Sequence, residues 1–285
     1  MSLGIAVKGS EGIVLAADSR VTLTAILAQQ PGAPANVQVQ LPVNFDNATK
    51  LLTFGKPNNW IGAVTFGDAV IGTTASDLRT AQSFIPEFEV GLPEERLSVQ
   101  DFAQKLSDFY LQQWNAKMPP THPGGGMVFV VAGFNADQPY GSVYMLNIPN
   151  APTPAEQSPN DFGVTWGGQH ELTARLLQGY DPRILEIAKN QLKLNIHQMD
   201  TFQKALAQLQ LTIPYQVLPL QDCIDLAIFL IRTTTTAQKL SIGIRGVGGA
   251  IDVAVITQRE GLRIIQRKEL VGETGTQLKR EGSNQ

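Results

Sequence analysis

Ser2 is the first side chain in this sequence able to act as a nucleophile, and no ordinary base is arranged to activate it. A serine hydroxyl reacts poorly until a neighbouring group takes its proton. The histidines do not offer a His-Asp pair: His122 lies in a Pro-Gly stretch, His170 at an expected helix start and His197 in a helically patterned region. A free α-amine on the serine itself can serve instead. Its reference pKa of about 7.7–8.0 suits a general base at neutral pH. That geometry requires Ser2 to be the first residue of the mature chain, and Met1 precedes a small residue of the kind Met-removing aminopeptidases accept. The chemistry would be acyl transfer from an amide to Ser2 Oγ, then hydrolysis of the ester.

Other chemistries find less support. Cys223 is the single cysteine, so no intrachain disulfide forms, and its apolar helical setting reads as core. The histidines lack metal-ligand spacing with any carboxylate, so neither metal nor other cofactor is expected. Gly243–Gly249 does not follow a strand and open a helix as a nucleotide loop would. Trp60, Trp114 and Trp166 read as core residues.

The elements that would position Ser2 are legible as patterns. Residues 2–8 alternate as a strand, Gly9-Ser10-Glu11-Gly12 is a turn, and Ile13–Ala17 is an apolar run like a strand covered on both faces. The chain therefore opens with a hairpin whose strand ends, Ser2 and Asp18, lie near each other. Residues 22–46 carry several prolines and read as a long loop or extended hairpin excursion. Strands are expected at Leu51–Phe54 and Trp60–Thr65. Gly67 should open a helix, with Val70, Ile71, Thr74, Leu78 and Ala81 on one face. Pro86 and Pro93 should break the chain, and Ser98 with Asp101 resembles a capping box for the next helix. Strands follow at Val128–Gly133 and Ser142–Asn147, then a Pro-rich loop over Pro149–Pro159 and a strand at Val164–Trp166. Helices are expected near 170–179, over 184–209 and near 221–237, the last apolar almost all round and so deeply buried. Strands at Ala250–Thr257 and Leu262–Gln266 close the pattern, with a frayed tail after Val271. This order, with helices segregated from strands, predicts an α+β fold: a four-layer αββα sandwich of two antiparallel sheets between helix layers.

Composition bounds the function. The chain has 285 residues, 43% hydrophobic and 16% charged, with a formal net charge of -3. That is a globular balance without the basic stripe a nucleic acid requires. No secretory h-region is visible and the apolar runs are too short to span a bilayer, so a cytoplasmic protein with no membrane or nucleic-acid partner is expected.

Several segments together are similar to the proteasome-type N-terminal-nucleophile (Ntn) hydrolases. Gly12–Thr22, containing Asp18-Ser19-Arg20, resembles the opening of proteasome β-subunits. Counting back from Asp18, the family nucleophile falls on Ser2. Lys50, in Asn47-Ala48-Thr49-Lys50-Leu51, resembles the catalytic lysine of the following strand, displaced by the 22–46 insertion. Thr65-Phe66-Gly67-Asp68 matches the segment whose glycine donates the oxyanion-hole N–H, Val130–Phe134 the middle strand, and Gly248–Thr257 the late strand. Two departures stand out: the family's auxiliary serine falls on Gly167, and its Asp-x-x-Ser is replaced near Ser241–Gly246. Lys239–Gly243 is closer to the Anbu-type bacterial relatives.

The resemblance implies a set of roles. Ser2, Asp18, Lys50 and Gly67 would be catalytic: nucleophile, partner that holds the lysine charged and oriented, cation beside Ser2, and oxyanion donor. Val21, Ala48 and Thr65, with Leu52 nearby, would line the first specificity pocket, small and mostly apolar. Taken singly, Asp18 and Arg20 read as a satisfied turn pair and Lys50 as a surface lysine. Residues 1–270 would form a single Ntn-hydrolase domain with insertions at about 22–46 and 184–209, and 271–285 a flexible tail. The function implied is a proteasome-like peptidase acting on peptide or unfolded protein substrates. It would assemble as a homo-oligomeric ring or spiral, with an ATP-dependent unfoldase as a possible partner. A catalytically inactive structural subunit and a small-molecule amide hydrolase are the alternatives.

Overall fold

The structure, a computed structural model, describes residues 2–26, 40–74 and 76–269. The chain opens with β1 (Leu3–Lys8) and β2 (Ile13–Asp18), then β3 (Val21–Ile26) and β4 (Gln40–Phe45), β5 (Leu51–Thr53) and β6 (Ile61–Gly67). A minor hairpin of β7 (Val70–Ile71) and β8 (Arg79–Thr80) leads into α1 (Ala81–Val90) and α2 (Val99–Lys117). Next come β9 (Met127–Gly133), β10 (Ser142–Ile148), β11 (Ala151–Glu156) and β12 (Gly163–Gly168). The helices α3 (His170–Leu177), α4 (Arg183–Asn190), α5 (Ile196–Ala207) and α6 (Leu220–Leu240) precede β13 (Ile251–Thr257) and β14 (Gly261–Gln266).

Two five-stranded antiparallel sheets organise these elements, ordered β12-β1-β2-β13-β14 and β11-β10-β9-β6-β5. The strands β1 and β2 are buried along their whole length, as their apolar runs require when both faces are covered. Leu15 and Ile13 of the first sheet meet Val64 and Val130 of the second in one apolar cluster. On the other face of the second sheet, Phe84 and Phe88 of α1 and Phe102 of α2 pack on Leu52 and Phe129. On the other face of the first sheet, Ala227 and Leu230 of α6 and Leu177 of α3 pack on Leu3, Ile5 and Val253. Each such large apolar side chain contributes roughly 1.5–3 kcal/mol on burial. Among the described residues no helix is long and apolar enough to cross a membrane.

Several expectations need correction. The helix expected from Gly67 over residues 70–81 is absent: β7 and β8 pair there as a hairpin, and the helix begins only at Ala81. Gly72 turns at φ +126°, and Asp77 Oδ1 accepts the N–H groups of Thr73 and Thr74 at 3.1 and 2.6 Å. Side-chain bonds of this kind offer the backbone an alternative to helix. Pro86 does not break the chain but lies inside α1. It removes one helical bond, and the buried Phe84, Ile85 and Phe88 around it hold the turn in place. The stretch 149–159 is not wholly loop, since β11 pairs with β10 as the last strand of its sheet. Pro152 and Pro154 are tolerated because an edge strand leaves one row of N–H positions unpaired. The helix α6 is amphipathic and not deeply buried all round, with Phe229 at 51% exposure. The 22–46 stretch begins and ends as the β3–β4 antiparallel pair; residues 27–39 and the tail from 270 lie outside the described residues.

Candidate active site

The β1–β2 register sets the first two site residues side by side. Gly4 pairs with Ala17, so Leu3 reaches Asp18 and its N–H donates to Asp18 Oδ1 at 3.0 Å. Ser2 stands immediately before β1, where its carbonyl accepts the Gln169 N–H at 2.7 Å. Asp18 is almost wholly buried, and its carboxylate is held by four donors. Oδ1 accepts from Leu3 and from Lys50 Nζ at 2.7 Å; Oδ2 accepts the N–H of Arg20 at 3.1 Å and of Gly248 at 3.0 Å. A buried charge persists only with such partners.

Lys50 enters from the start of β5. Its Nζ bonds Asp18 and the Arg20 carbonyl, with its side chain 5% exposed. Burial pushes the Lys50 pKa down, the Asp18 carboxylate opposes that, and the charges of Lys268 and Arg20 add to the downward push.

The second sheet supplies the remaining parts. Thr65 donates its N–H to the Lys50 carbonyl at 2.9 Å, which ties β6 to the lysine segment. Gly67, two residues on, turns its N–H to the same edge, because Asp68 on the alternate side donates to Gly126 at 2.9 Å. Gly67 ends a strand and opens no helix, so the helix start expected there is absent and no helix dipole lies behind its N–H. Its φ of +86° and a Cβ that would stand 2.3 Å from the Gly126 oxygen restrict the position to glycine.

These residues meet in one small cleft, about 20 Å³ in volume, lined by Ser2, Lys50 and Gly67 together with Val21, Ala48 and Thr65. Asp18 lies behind Lys50. Leu52 does not line the cleft: it packs in the core with Phe84 and Phe88 of α1 and Phe102 of α2. The step of two residues from Lys50 carries Leu52 further along the strand, beyond the cleft and under the helices.

Sequence reasoning missed four features. Arg20 grips Asp46 with two bonds, at 2.5 and 2.7 Å, and its guanidinium lies where a Cβ on Gly248 would stand, 2.6 Å from Cζ. His122 pairs with Asp68 at 3.0 Å beside Gly67. Lys268 pairs with Asp252 at 2.6 Å and reaches the Ala48 carbonyl. Phe66 fills the space over Gly4 and Gly167; a Cβ on Gly167 would come 2.0 Å from its Cζ. The Gly167 departure noted in the sequence was the one signal for this last feature. Among the described residues, no group of three or more His, Cys, Asp or Glu could hold a metal ion.

No protein-family model matches the chain, and no curated protein sequence matches it. Among solved structures the fold is similar to that of an Anbu mutant from Hyphomicrobium sp. strain MC1. The TM-score is 0.51 at 11% identity, over 94% of this chain and 86% of that one. The likeness is one of fold.

Proposed function

We propose that the chain is a proteasome-like Ntn hydrolase that cleaves peptide bonds with Ser2 as nucleophile once Met1 is removed. The observation that carries the reading is the buried Asp18–Lys50 pair opening onto the same cleft as Ser2 and Gly67. In this reading the α-amine of Ser2 takes the proton from Oγ, and Oγ attacks the substrate carbonyl. The Lys50 ammonium favours the deprotonated amine and hydroxyl. The Gly67 N–H stabilises the tetrahedral oxyanion, a contribution of roughly 3 kcal/mol for one such donor. The proton passes to the leaving amine, the C–N bond breaks, and water hydrolyses the Ser2 ester. Val21, Ala48 and Thr65 would favour small or apolar side chains at the cleavage position.

The three apolar clusters support an αββα arrangement, which we read as one Ntn-hydrolase domain over residues 1–270. Assembly as a ring or spiral around unfolded substrates, with an unfoldase feeding it, belongs to the same proposal.

A catalytically silent subunit on this fold is the second reading. It is favoured by Gly167, where Phe66 occupies the place of the auxiliary serine. A serine-acylating probe followed by mass spectrometry separates the two. Labelling confined to Ser2 and abolished in Ser2→Ala supports the hydrolase; no labelling of the folded wild type supports the silent subunit.

A further inference from the structure

Beyond Asp18 and Lys50, a second buried ion pair stands behind the cleft wall. Asp252 lies in β13, opposite Ala17 of β2, and Lys268 lies just past the end of β14. Their side chains are 3% and 8% exposed, with Nζ 2.6 Å from Asp252 Oδ2. The Lys268 N–H also donates to Asp252 Oδ1 at 3.0 Å, closing the strand end onto the carboxylate. A pair this dry is no efficient source of stability, since well-packed apolar residues of like volume do as well or better. Its ammonium has a further acceptor, the Ala48 carbonyl at 3.0 Å. The Ala48 N–H in turn donates to the Ser19 carbonyl at 2.9 Å. Both polar groups of this residue are thus held from outside its own segment. Ala48 lines the cleft, and Lys50 follows two residues later.

We propose that Lys268 is a positioning residue: its ammonium, paired with Asp252, fixes the Ala48 carbonyl and with it the short segment that carries one cleft wall and presents Lys50 to Ser2. Its bearing on catalysis rests on the reading of Ser2 and Lys50 given above. Lys50 is faced by Asp18 from β2, by Arg20 with its partner Asp46, and by Lys268 from beyond β14. The like charge of Lys268 opposes the Lys50 ammonium, so the pair tunes the lysine as well as placing it.

The test uses the full chain carrying Lys268→Met, and Asp252→Asn/Lys268→Met, which leaves no lone buried carboxylate should the single variant fail to fold. Lysine ¹³Cε NMR, with the Lys50 signal assigned by Lys50→Arg, follows the titration of Lys50. A β-lactone acylating probe read by mass spectrometry gives the rate at Ser2. The expected results are a Lys50 midpoint moved to higher pH and labelling slowed by up to about 100-fold, the scale of an ångström-level misplacement. Lys268→Arg keeps the charge and should hold the midpoint. An unmoved Lys50 midpoint together with an unchanged labelling rate in the double variant overturns the proposal, even if thermal stability falls. Failure of the wild type to label at Ser2 would instead count against the hydrolase reading, while the Lys50 titration still decides the positioning role.

Discussion

Lys50 and Asp18 form an ion pair, Nζ to Oδ1 2.7 Å, that is closed to solvent on both sides. Neither group has bulk water to fall back on. Asp18 also organises the N–H groups of Leu3, Arg20 and Gly248, so one carboxylate joins three separate segments to the lysine.

Breaking this pair from either side should be costly. Lys50→Met leaves a buried carboxylate and Asp18→Asn a buried ammonium, and each should destabilise by about 3–5 kcal/mol. The double variant should cost less than the two singles together, because no charge is then unpaired. Urea denaturation midpoints measure this.

The burial of Lys50 also sets a pH dependence. Its folded pKa lies below the ordinary lysine value, so the unfolded chain binds more protons at pH values between the two. Stability from this group therefore rises with pH through that alkaline window, up to the unfolded value of about 10.4. Lys50→Met should remove the rise, as read from urea midpoints at alkaline pH up to about 10.4. Labelling of Ser2 should fall at a lower pH than an ordinary lysine would allow, as the ammonium is lost.

Gly67→Ala should separate folding from oxyanion binding. The positive φ and the Gly126 oxygen make the new Cβ strained, at roughly 1–3 kcal/mol. A displaced N–H should slow acylation by about 10²–10³-fold, well beyond the loss of folded protein. Acylation rates normalised to the folded fraction check it.

Phe66 and Gly167 should behave as one unit. Gly167→Ser alone drives a side chain into the ring and should destabilise by about 1–3 kcal/mol, the usual scale for overpacking. Paired with Phe66→Ala, which opens the space, the serine should be better tolerated. A double-mutant cycle in thermal denaturation measures the coupling.

Much of this site was legible where the chain is locally regular. The alternation of residues 2–8 and the apolar run 13–17 located the hairpin that joins Ser2 to Asp18, and Ser98 marked the start of α2 with its oxygen 3.0 Å from the Asp101 N–H. Legibility failed where tertiary contacts or turn chemistry override spacing. Val70, Ile71 and Leu78 fit a helical face, yet the Asp77 turn folds them into a hairpin. Leu52 sits near the pocket residues in sequence but packs under α1 and α2, beyond the cleft. The Lys268–Asp252 pair could not be read at all, because its link to Ala48 joins segments far apart in the chain through the register of β13 against β2.

Intact mass and N-terminal sequencing of the purified protein, before and after a serine-acylating probe, bear most directly on the central claim. The proposal requires a chain that starts at Ser2 and gains one adduct there, with none in Ser2→Ala. An adduct formed on protein that still carries Met1, or persisting in Ser2→Ala, would contradict it.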